Sequence, residues 1–428
     1  MKISKYSRIE IIAVGNELLT PYYQDTNSLY ITERLNDLGM TVSFKTIVGD
    51  SQKDLAECLR SSFDRSGIIF LIGGLGPTED DRTREVVAST LSKKLIYEEY
   101  ILERIRQRFE RRGFTMPAVN EKQAYIIEGS CVLDNDHGTA PGLWLETGEK
   151  LLILLPGPPH ELKPMFDKYV YLKFQKFQKR YGARRVLKTA GLTESKIESL
   201  LADVYPLQSS VQLTTLAYPG QIELHLFSLS IKSRKEANKA IGNLENELQK
   251  RLGDHIFSHA GEELEEVVGS LLRQARKTLS IAESCTGGLL GHRITNISGS
   301  SDYFQQGVLT YSNDSKAQLL GIPQDLMLQH GAVSPEVAEA MAVGIRERSG
   351  SDIGLAITGI AGPEGGSPDK PVGLVYVGLS WKDGTKVERN IFLGNREIVK
   401  FQSTQKALDM LRHHLLKYQT KKQKEQAV

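Results

Sequence analysis

The chain of 428 residues is longer than one ordinary domain, and at roughly one domain per ~150 residues it should hold about three. With 40% hydrophobic and 25% charged residues it has the composition of a globular protein with sizeable cores, and a formal net charge of +2 argues against a surface built mainly to hold nucleic acid. Three widely spaced cysteines (Cys58, Cys131, Cys285) form neither a metal-ligand spacing nor a disulfide framework, so a reducing cytoplasmic location is expected, and no stretch approaches the ~18 apolar residues of a membrane helix.

Residues 1–175 alternate between strand and helix patterns. "RIEIIAVG" is a β-rich apolar run, and "TNSLYITERLNDLG" carries leucines at helical spacing with Gly39 as a stop. "TVSFKTIVGD" and "SQKDLAECLRSSF" repeat the strand–helix order. "GIIFLIGG" and "KLLILLPG" are short, fully apolar runs of the kind buried in a parallel sheet. Residues 176–258 differ: "RRVLKTAG" and "VQLTTLAYPGQIELHLFSLS" predict strands around a Pro-Gly turn, "TESKIESLLADV" and "RKEANKAIGNLENELQKRLG" predict helices, and the whole reads as a structural connector. Residues 259–428 return to α/β alternation, with "LEEVVGSLLRQARK" as an amphipathic helix, "TLSIAES", "FQQGVLTYS" and "DIGLAITG" as strands, and "PVGLVYVGLSW" opening a strand pair closed at "KDGT". The expected fold class is α/β: two three-layer α/β domains joined by a small α+β connector.

Three turns of the first block should fall on the sheet edge where ligands bind in open α/β folds. In "LIGGLGPTEDDRTRE", Gly73, Gly74 and Gly76 would let backbone N–H groups approach a phosphate, and the next helix would direct its positive end to the same place. The paired Asp80 and Asp81 suit a bridging divalent metal; the plainer alternative is that they and Thr78 cap a helix. "LPGPPHELKPMF" is the second turn. "AVGNELLTPYYQDTNS" is the third and adds Glu17 and Asp25, the latter also a candidate cap.

"GNELL…DTNS", "VGD", "GGLGPTEDDRT" and "LPGPPHELKPMF", in this order, resemble the molybdopterin-binding-like domain that begins CinA proteins. That resemblance covers about 170 residues and implies divalent-metal-dependent cleavage of the ADP-ribose pyrophosphate, with Asp80 and Asp81 on a metal of the magnesium, manganese or cobalt class. Thr83 and the three glycines would then lie on the phosphates. One departure is visible: Asn16 stands where the family usually has Thr, and "TPYY" replaces the stretch after the leucines.

In the last block, "SIAESCTGGLLGHRIT" sets Ser284, Cys285 and Thr286 side by side where a strand hands over to a helix. Cys285 is the most nucleophilic residue type, but no histidine stands in a convincing partner motif, and it also suits packing under the turn. Thr286 is placed to cap the helix. Ser284 needs a base. "GVLTYSNDSKAQLLG" offers Lys316, in the first turn of a helix capped by Ser312 or Asn313, with Tyr311 before it. Keeping such a lysine neutral needs far more than the ~1 kcal/mol a helix terminus supplies, so burial must provide the rest. Otherwise Lys316 is a solvated helix residue.

"AESCTGG", "TYSNDSKAQLLG", "HGAVS", "TGIAGPEGGSPDKPVG" and "GNRE" together are similar to the CinA C-terminal domain, the nicotinamide mononucleotide deamidase. The resemblance implies a serine amidase without a cofactor. Ser284 would be the nucleophile, Lys316 the base and Tyr311 an aid to proton transfer. Gly287 and Gly288 would supply oxyanion donors, and Thr358, Gly359 and Arg396 would hold the substrate. It further implies a homodimer in pyridine nucleotide salvage, acting on nicotinamide mononucleotide and ADP-ribose, with neither membrane nor nucleic acid as partner. Rival readings make the first domain a molybdopterin adenylyltransferase or binder, or a nucleotide-sensing scaffold tied to competence or DNA repair.

Overall fold

A computed structural model describes residues 8–176, 180–204 and 211–426, with side chains described through residue 420. Its contacts divide the chain into two compact units, Met1–Ala183 with Leu229–Ala237, and Arg184–Ser228 with Asn238–Val428.

The first unit runs β1 (Ile9–Val14), α1 (Thr26–Asp37), β2 (Val42–Val48), α2 (Gln52–Arg65), β3 (Ile68–Ile72), α3 (Thr83–Thr90), β4 (Leu95–Tyr97) and α4 (Glu99–Glu110). β5 (Tyr125–Ile127), β6 (Ser130–Leu133), β7 (Gly142–Thr147), β8 (Lys150–Leu155), α5 (Pro159–Met165) and α6 (Leu172–Gln175) complete it. Its main sheet has the order β2-β1-β3-β8-β7-β6. The pairs β1–β2, β1–β3 and β3–β8 are parallel, whereas β6, β7 and β8 pair antiparallel. Alternate residues of one strand point to opposite faces. Ile69 and Leu71 of β3 thus join a core beneath α2, α3 and α4, while Ile68, Phe70 and Ile72 join a second beneath α1 and α5. The three layers expected from the apolar runs are present; the antiparallel edge is the addition, made by a hairpin turning at Gly148 (φ 57).

The next segment holds β9 (Tyr181–Ala190), α7 (Glu194–Leu201), β10 (Val211–Tyr218), β11 (Gln221–Ser230), α8 (Arg234–Leu252) and β12 (Ile256–Ser258), in a sheet of order β10-β11-β9-β12; all but the start of β9, the end of β11 and the start of α8 belong to the second unit. β10 and β11 form the expected hairpin around Pro219-Gly220. This segment is more than a spacer. Ala190 and Phe257 are part of the core formed with Leu264, Val268 and Leu272, and Lys188 ion-pairs with Glu263 at 2.5 Å.

After it come α9 (Leu264–Ala275), β13 (Leu279–Glu283), α10 (Leu289–Thr295), β14 (Phe304–Leu309), α11 (Asn313–Leu320), α12 (Gln324–His330) and α13 (Pro335–Ser349). β15 (Ile353–Gly359), β16 (Leu374–Trp381), β17 (Gly384–Ile391) and α14 (Arg396–Gln426) close the chain. The sheet order is β14-β13-β15-β16-β17, parallel for the first three strands and antiparallel for the rest. α9 and α14 cover one face and α13 the other.

α13 lies so close to the sheet that a Cβ on Gly354 would sit 2.1 Å from the Ala342 carbonyl oxygen, and one on Gly378 2.3 Å from that of Ala338. Gly378→Ala should therefore cost about 1–3 kcal/mol in denaturant unfolding, because the helix must lift off the sheet. Gly242→Ala, mid-helix with open space around it, should be neutral or stabilising by up to ~1 kcal/mol. Equal effects at the two positions would contradict this packing.

Candidate active site

β13 is buried along its length and ends at Glu283, after which Ser284 enters the turn. Gly287 (φ 62) and Gly288 (φ 95) occupy left-handed backbone that other residues rarely adopt, and they swing the chain into α10. α10 has no side-chain cap at its own start. The Glu283 carboxylate, 2% exposed, replaces one: it accepts the N–H groups of Gly288 (3.1 Å), Leu290 (3.1 Å) and Gly291 (2.8 Å). The expected cap, Thr286, is fully buried and its hydroxyl has no partner among the described residues.

α11 brings in the base candidate. Ser312 caps it through the Ser315 N–H, which leaves Lys316 at the end of its first turn. Lys316 is 1% exposed; its Nζ donates to the Thr310 carbonyl at 2.7 Å and lies 3.3 Å from Ser284 Oγ. Burial pushes the Lys316 amine below its ordinary pKa, only partly offset by the neighbouring Cys285. Thr310 is in turn pinned by its N–H to the Glu283 carbonyl at 2.8 Å. Cys285 belongs to the hydrophobic core, and burial pushes its thiol up to about 12, which leaves it protonated and inert.

The other expected residues have different partners. The Gly287 N–H donates to the Ser284 carbonyl and the Gly288 N–H to Glu283, so neither is free for an oxyanion. The Cys285 and Thr286 N–H groups have no oxygen acceptor among the described residues. Tyr311 is 65% exposed and does not bury Lys316; its hydroxyl accepts from Arg396 Nη2 at 3.0 Å. Arg396 Nη1 donates to the Gly362 carbonyl at 2.7 Å, which ties down the glycine-rich loop after β15. Thr358 is 1% exposed and donates to the Ala332 carbonyl at 2.8 Å, so it anchors the "HGAVS" segment instead of offering a ligand contact. Gly359 is a close approach of β15 to β16, since a Cβ there would meet Leu374 O at 2.7 Å. One further cation was not anticipated: Lys400, four residues beyond Arg396 on α14, reaches to 3.5 Å from where a Gly287 Cβ would be.

In the first unit the three turns do converge. The Gly73 N–H donates to the Leu155 carbonyl at 3.0 Å, and the Asn27 carboxamide donates to the Gly157 carbonyl at 2.6 Å. Gly73 N–H is thereby used, whereas those of Gly74 and Gly76 have no acceptor among the described residues. Gly74 (φ 65) leaves room for Thr83 Oγ1, 2.1 Å from a would-be Cβ. Thr83 itself is 1% exposed and donates to the Gly73 carbonyl at 2.9 Å, so it shapes the loop and cannot reach a phosphate. Asp80 and Asp81 do not cap α3, which begins after Arg82 without a side-chain cap. Both carboxylates lie instead within hydrogen-bond reach of the Thr78 hydroxyl, whose one proton they share, and Asp81 also accepts from the Thr78 N–H at 2.9 Å. That hydroxyl, backbone N–H groups and the nearby Lys122 hold Asp80 below the usual carboxylate range. Asp25 is the N-cap of α1, through the Ser28 N–H. Asn16 exchanges two bonds with Asp50: its N–H donates to the Asp50 carboxylate at 2.9 Å and its carboxamide oxygen accepts the Asp50 N–H at 3.2 Å, which fastens the "VGD" turn.

Among the described residues no three His, Cys, Asp or Glu side chains cluster as a metal cage, and no helix is long and apolar enough to cross a membrane.

Residues 10–175 match the family described as a probable molybdopterin binding domain, 184–258 the damage-inducible protein CinA KH domain, and 261–415 the CinA C-terminal domain. KH domains clamp nucleic-acid backbone with a Gly-x-x-Gly loop, which residues 184–258 do not contain. A CinA-like protein of Koribacter versatilis is 46% identical over 412 residues, covering 95% of this chain and 99% of that one. A putative competence-damage inducible protein of Caldicellulosiruptor bescii is 43% identical over 409 residues, covering 96% and 99%. Among solved structures, a competence/damage inducible protein of Agrobacterium tumefaciens is 37% identical, covering 35% of this chain and 91% of that chain, with a TM-score of 0.34. With all three segments matched in order and near-complete coverage of its relatives, the chain belongs to the CinA family.

Proposed function

We propose that the C-terminal domain is a serine amidase that converts nicotinamide mononucleotide and water to nicotinate mononucleotide and ammonia. The observation that carries this reading is the buried Lys316 Nζ, 3.3 Å from Ser284 Oγ. The choice of substrate rests on the family likeness. A neutral Lys316 takes the Ser284 proton as Oγ attacks the carboxamide carbon, with the Thr310 carbonyl holding the amine in line. The Cys285 and Thr286 N–H groups, which meet no oxygen acceptor among the described residues, stabilise the oxyanion. Lys316 then hands its proton to the departing ammonia, leaving an ester on Ser284. Water attacks that ester with Lys316 again as base, and the carboxylic acid leaves. Arg396 and Lys400 attract the substrate phosphate, and Tyr311, bonded to Arg396, belongs to that side of the site.

For the N-terminal domain the reading is a nucleotide site for ADP-ribose, cut at its pyrophosphate with a divalent cation of the magnesium, manganese or cobalt class. The adjacent Asp80, exposed, and Asp81, half-buried, suit a hard cation whose remaining ligands come from phosphate and water. The ion would neutralise the pyrophosphate charge; the chain's own part is to present Gly74 and Gly76 N–H groups to the oxygens. The protein is read as a cytoplasmic homodimer.

Ser284→Ala should lower amidase kcat by about 10³-fold or more, while Cys285→Ala retains most of it. Ammonia release from nicotinamide mononucleotide measures both, and full activity in Ser284→Ala would sink the mechanism. The pH profile tests the base. Because Lys316 must be neutral, kcat/KM should rise with pH through the lowered lysine pKa and level off above it. Lys316→Arg keeps the charge but cannot act as acceptor, so it should be as inactive as Lys316→Ala; an active arginine variant would move the base elsewhere. Asp80→Asn with Asp81→Asn should abolish metal-dependent release of AMP from ADP-ribose and leave ammonia release unchanged. Loss of both activities in a folded double variant would contradict two independent sites.

A further inference from the structure

α10 and α14 flank the Ser284 turn, and one buried cation joins them. Arg293 lies in the last turn of α10. Its Nε and Nη2 donate to the Glu265 carboxylate on α9 at 3.2 and 2.6 Å, its Nη1 to Thr404 Oγ1 at 2.8 Å, and Nη2 also to Gln405 Oε1 at 2.7 Å. Thr404 and Gln405 are both buried on α14. Arg396, Lys400 and Thr404 follow one another at i, i+4 spacing and so share one stripe of that helix. Whatever fixes Thr404 and Gln405 therefore fixes where Lys400 and Arg396 stand against Ser284.

The bonds run on past Gln405. Its Nε2 donates to Gln221 Oε1 at 3.1 Å, and Gln221 Nε2 donates to Glu223 Oε1 at 3.4 Å. Gln221 and Glu223 lie on β11, just past the tip of its hairpin with β10. Gly220 (φ 75) seats that tip on α14: a Cβ there would lie 3.0 Å from Gln405 Cγ. Glu223 is held in turn by Lys188 on β9 at 3.4 Å and by His225 at 2.8 Å. The direction of these bonds is forced. A guanidinium only donates and a carboxylate only accepts, so each carboxamide between Arg293 and Glu223 has one admissible orientation. Turning Gln405 over would set its NH2 group against the guanidinium, donor facing donor in a buried site.

We propose that Gln221 and Gln405 are positioning residues for the C-terminal site. The β10–β11 hairpin orients the Gln405 carboxamide, which through Arg293 sets α14, and with it Arg396 and Lys400, at one distance from Ser284. The inference rests on the reading of Arg396 and Lys400 as the pair that attracts the substrate phosphate. The Ser284–Lys316 contact stands apart from this relay, since β13, β15 and the start of α11 hold it. The relay therefore governs the grip on phosphate and not the chemical step.

The test compares the full-length chain with its Gln221→Met variant, which keeps the side chain's length and deletes both of its bonds. KM for nicotinamide mononucleotide should rise roughly 3–10-fold, while kcat and the acid limb of the pH profile stay as in the wild type. With nicotinamide riboside, the same amide without the phosphate, kcat/KM of the two proteins should agree. Gln405→Met breaks the relay from its other side and should give the same rise, which keeps the test open if Gln221→Met fails to fold. In Gln405→Glu both side-chain oxygens accept, so nothing needs to orient them, and adding Gln221→Met to that variant should raise KM no further. The proposal is overturned by an unchanged KM in the folded Met variants, by an equal loss on both substrates, or by a Gln221→Met effect that persists in the Gln405→Glu background. If the wild type releases no ammonia, the amidase reading fails by itself. The relay is then judged by calorimetric titration with inorganic phosphate, where equal affinity in the wild type and Gln221→Met overturns it.

Discussion

An amine taken out of water resists protonation, and the C-terminal site is organised around one such amine. Lys316 is buried, so its charged form is disfavoured. A neutral amine still has two N–H groups and a lone pair to satisfy, and the Thr310 carbonyl takes one N–H. That leaves the nitrogen facing Ser284 Oγ with the capacity to accept. Everything nearby serves to keep this contact dry and aligned. Thr310 is held to the end of β13, the Ser284 N–H is tied to Ile357 on β15, and the cap at Ser312 fixes where α11 begins. The central parallel strands of the sheet thus act as the ruler that sets the distance between Ser284 Oγ and Lys316 Nζ.

The N-terminal unit solves a related problem with different means. There the polar groups stay near solvent, and the backbone does the shaping. Gly73 and Gly74 adopt left-handed backbone at points where a side chain would strike Val14 O or Thr83 Oγ1. Thr83 and Asn27 spend their hydrogen bonds on neighbouring turns, which fixes loops that carry few packing contacts of their own. The result is an open edge whose N–H groups and carboxylates face outward, in contrast to the closed pair at Ser284.

Much of this was legible in the residues. Continuous apolar runs such as "GIIFLIGG", short and bounded by glycines, read as strands buried on both faces, and the glycines directly after them mark the turns at the strand-end edge. The Ser284–Lys316 pair could be suspected from nucleophile placement and a helix start. What was not legible shares one cause: the working groups were main-chain atoms, or side chains acting on main-chain atoms. Thr310 contributes a carbonyl, which no side-chain pattern reports. Glu283 reads as an ordinary last residue of a strand until three amides are seen to converge on it. Tyr311 was expected beside the lysine, but adjacent residues in an extended segment point to opposite sides, so burying Thr310 exposes Tyr311. Thr83, Thr358 and Gly359 stand in ligand-like motifs yet are consumed by the loops they build.

The convergence of three amides on the Glu283 carboxylate has a consequence for how the turn behaves over time. Among the described residues this buried carboxylate is held by backbone donors, and releasing the buried Leu290 amide would strand that group away from water. The segment from Ser284 to Gly291 is therefore tied at three points to one side chain. The ordering entropy of those tied positions is spent during folding, so the main chain at Ser284 is placed before any ligand arrives. A surface loop would have to surrender that freedom at each binding event.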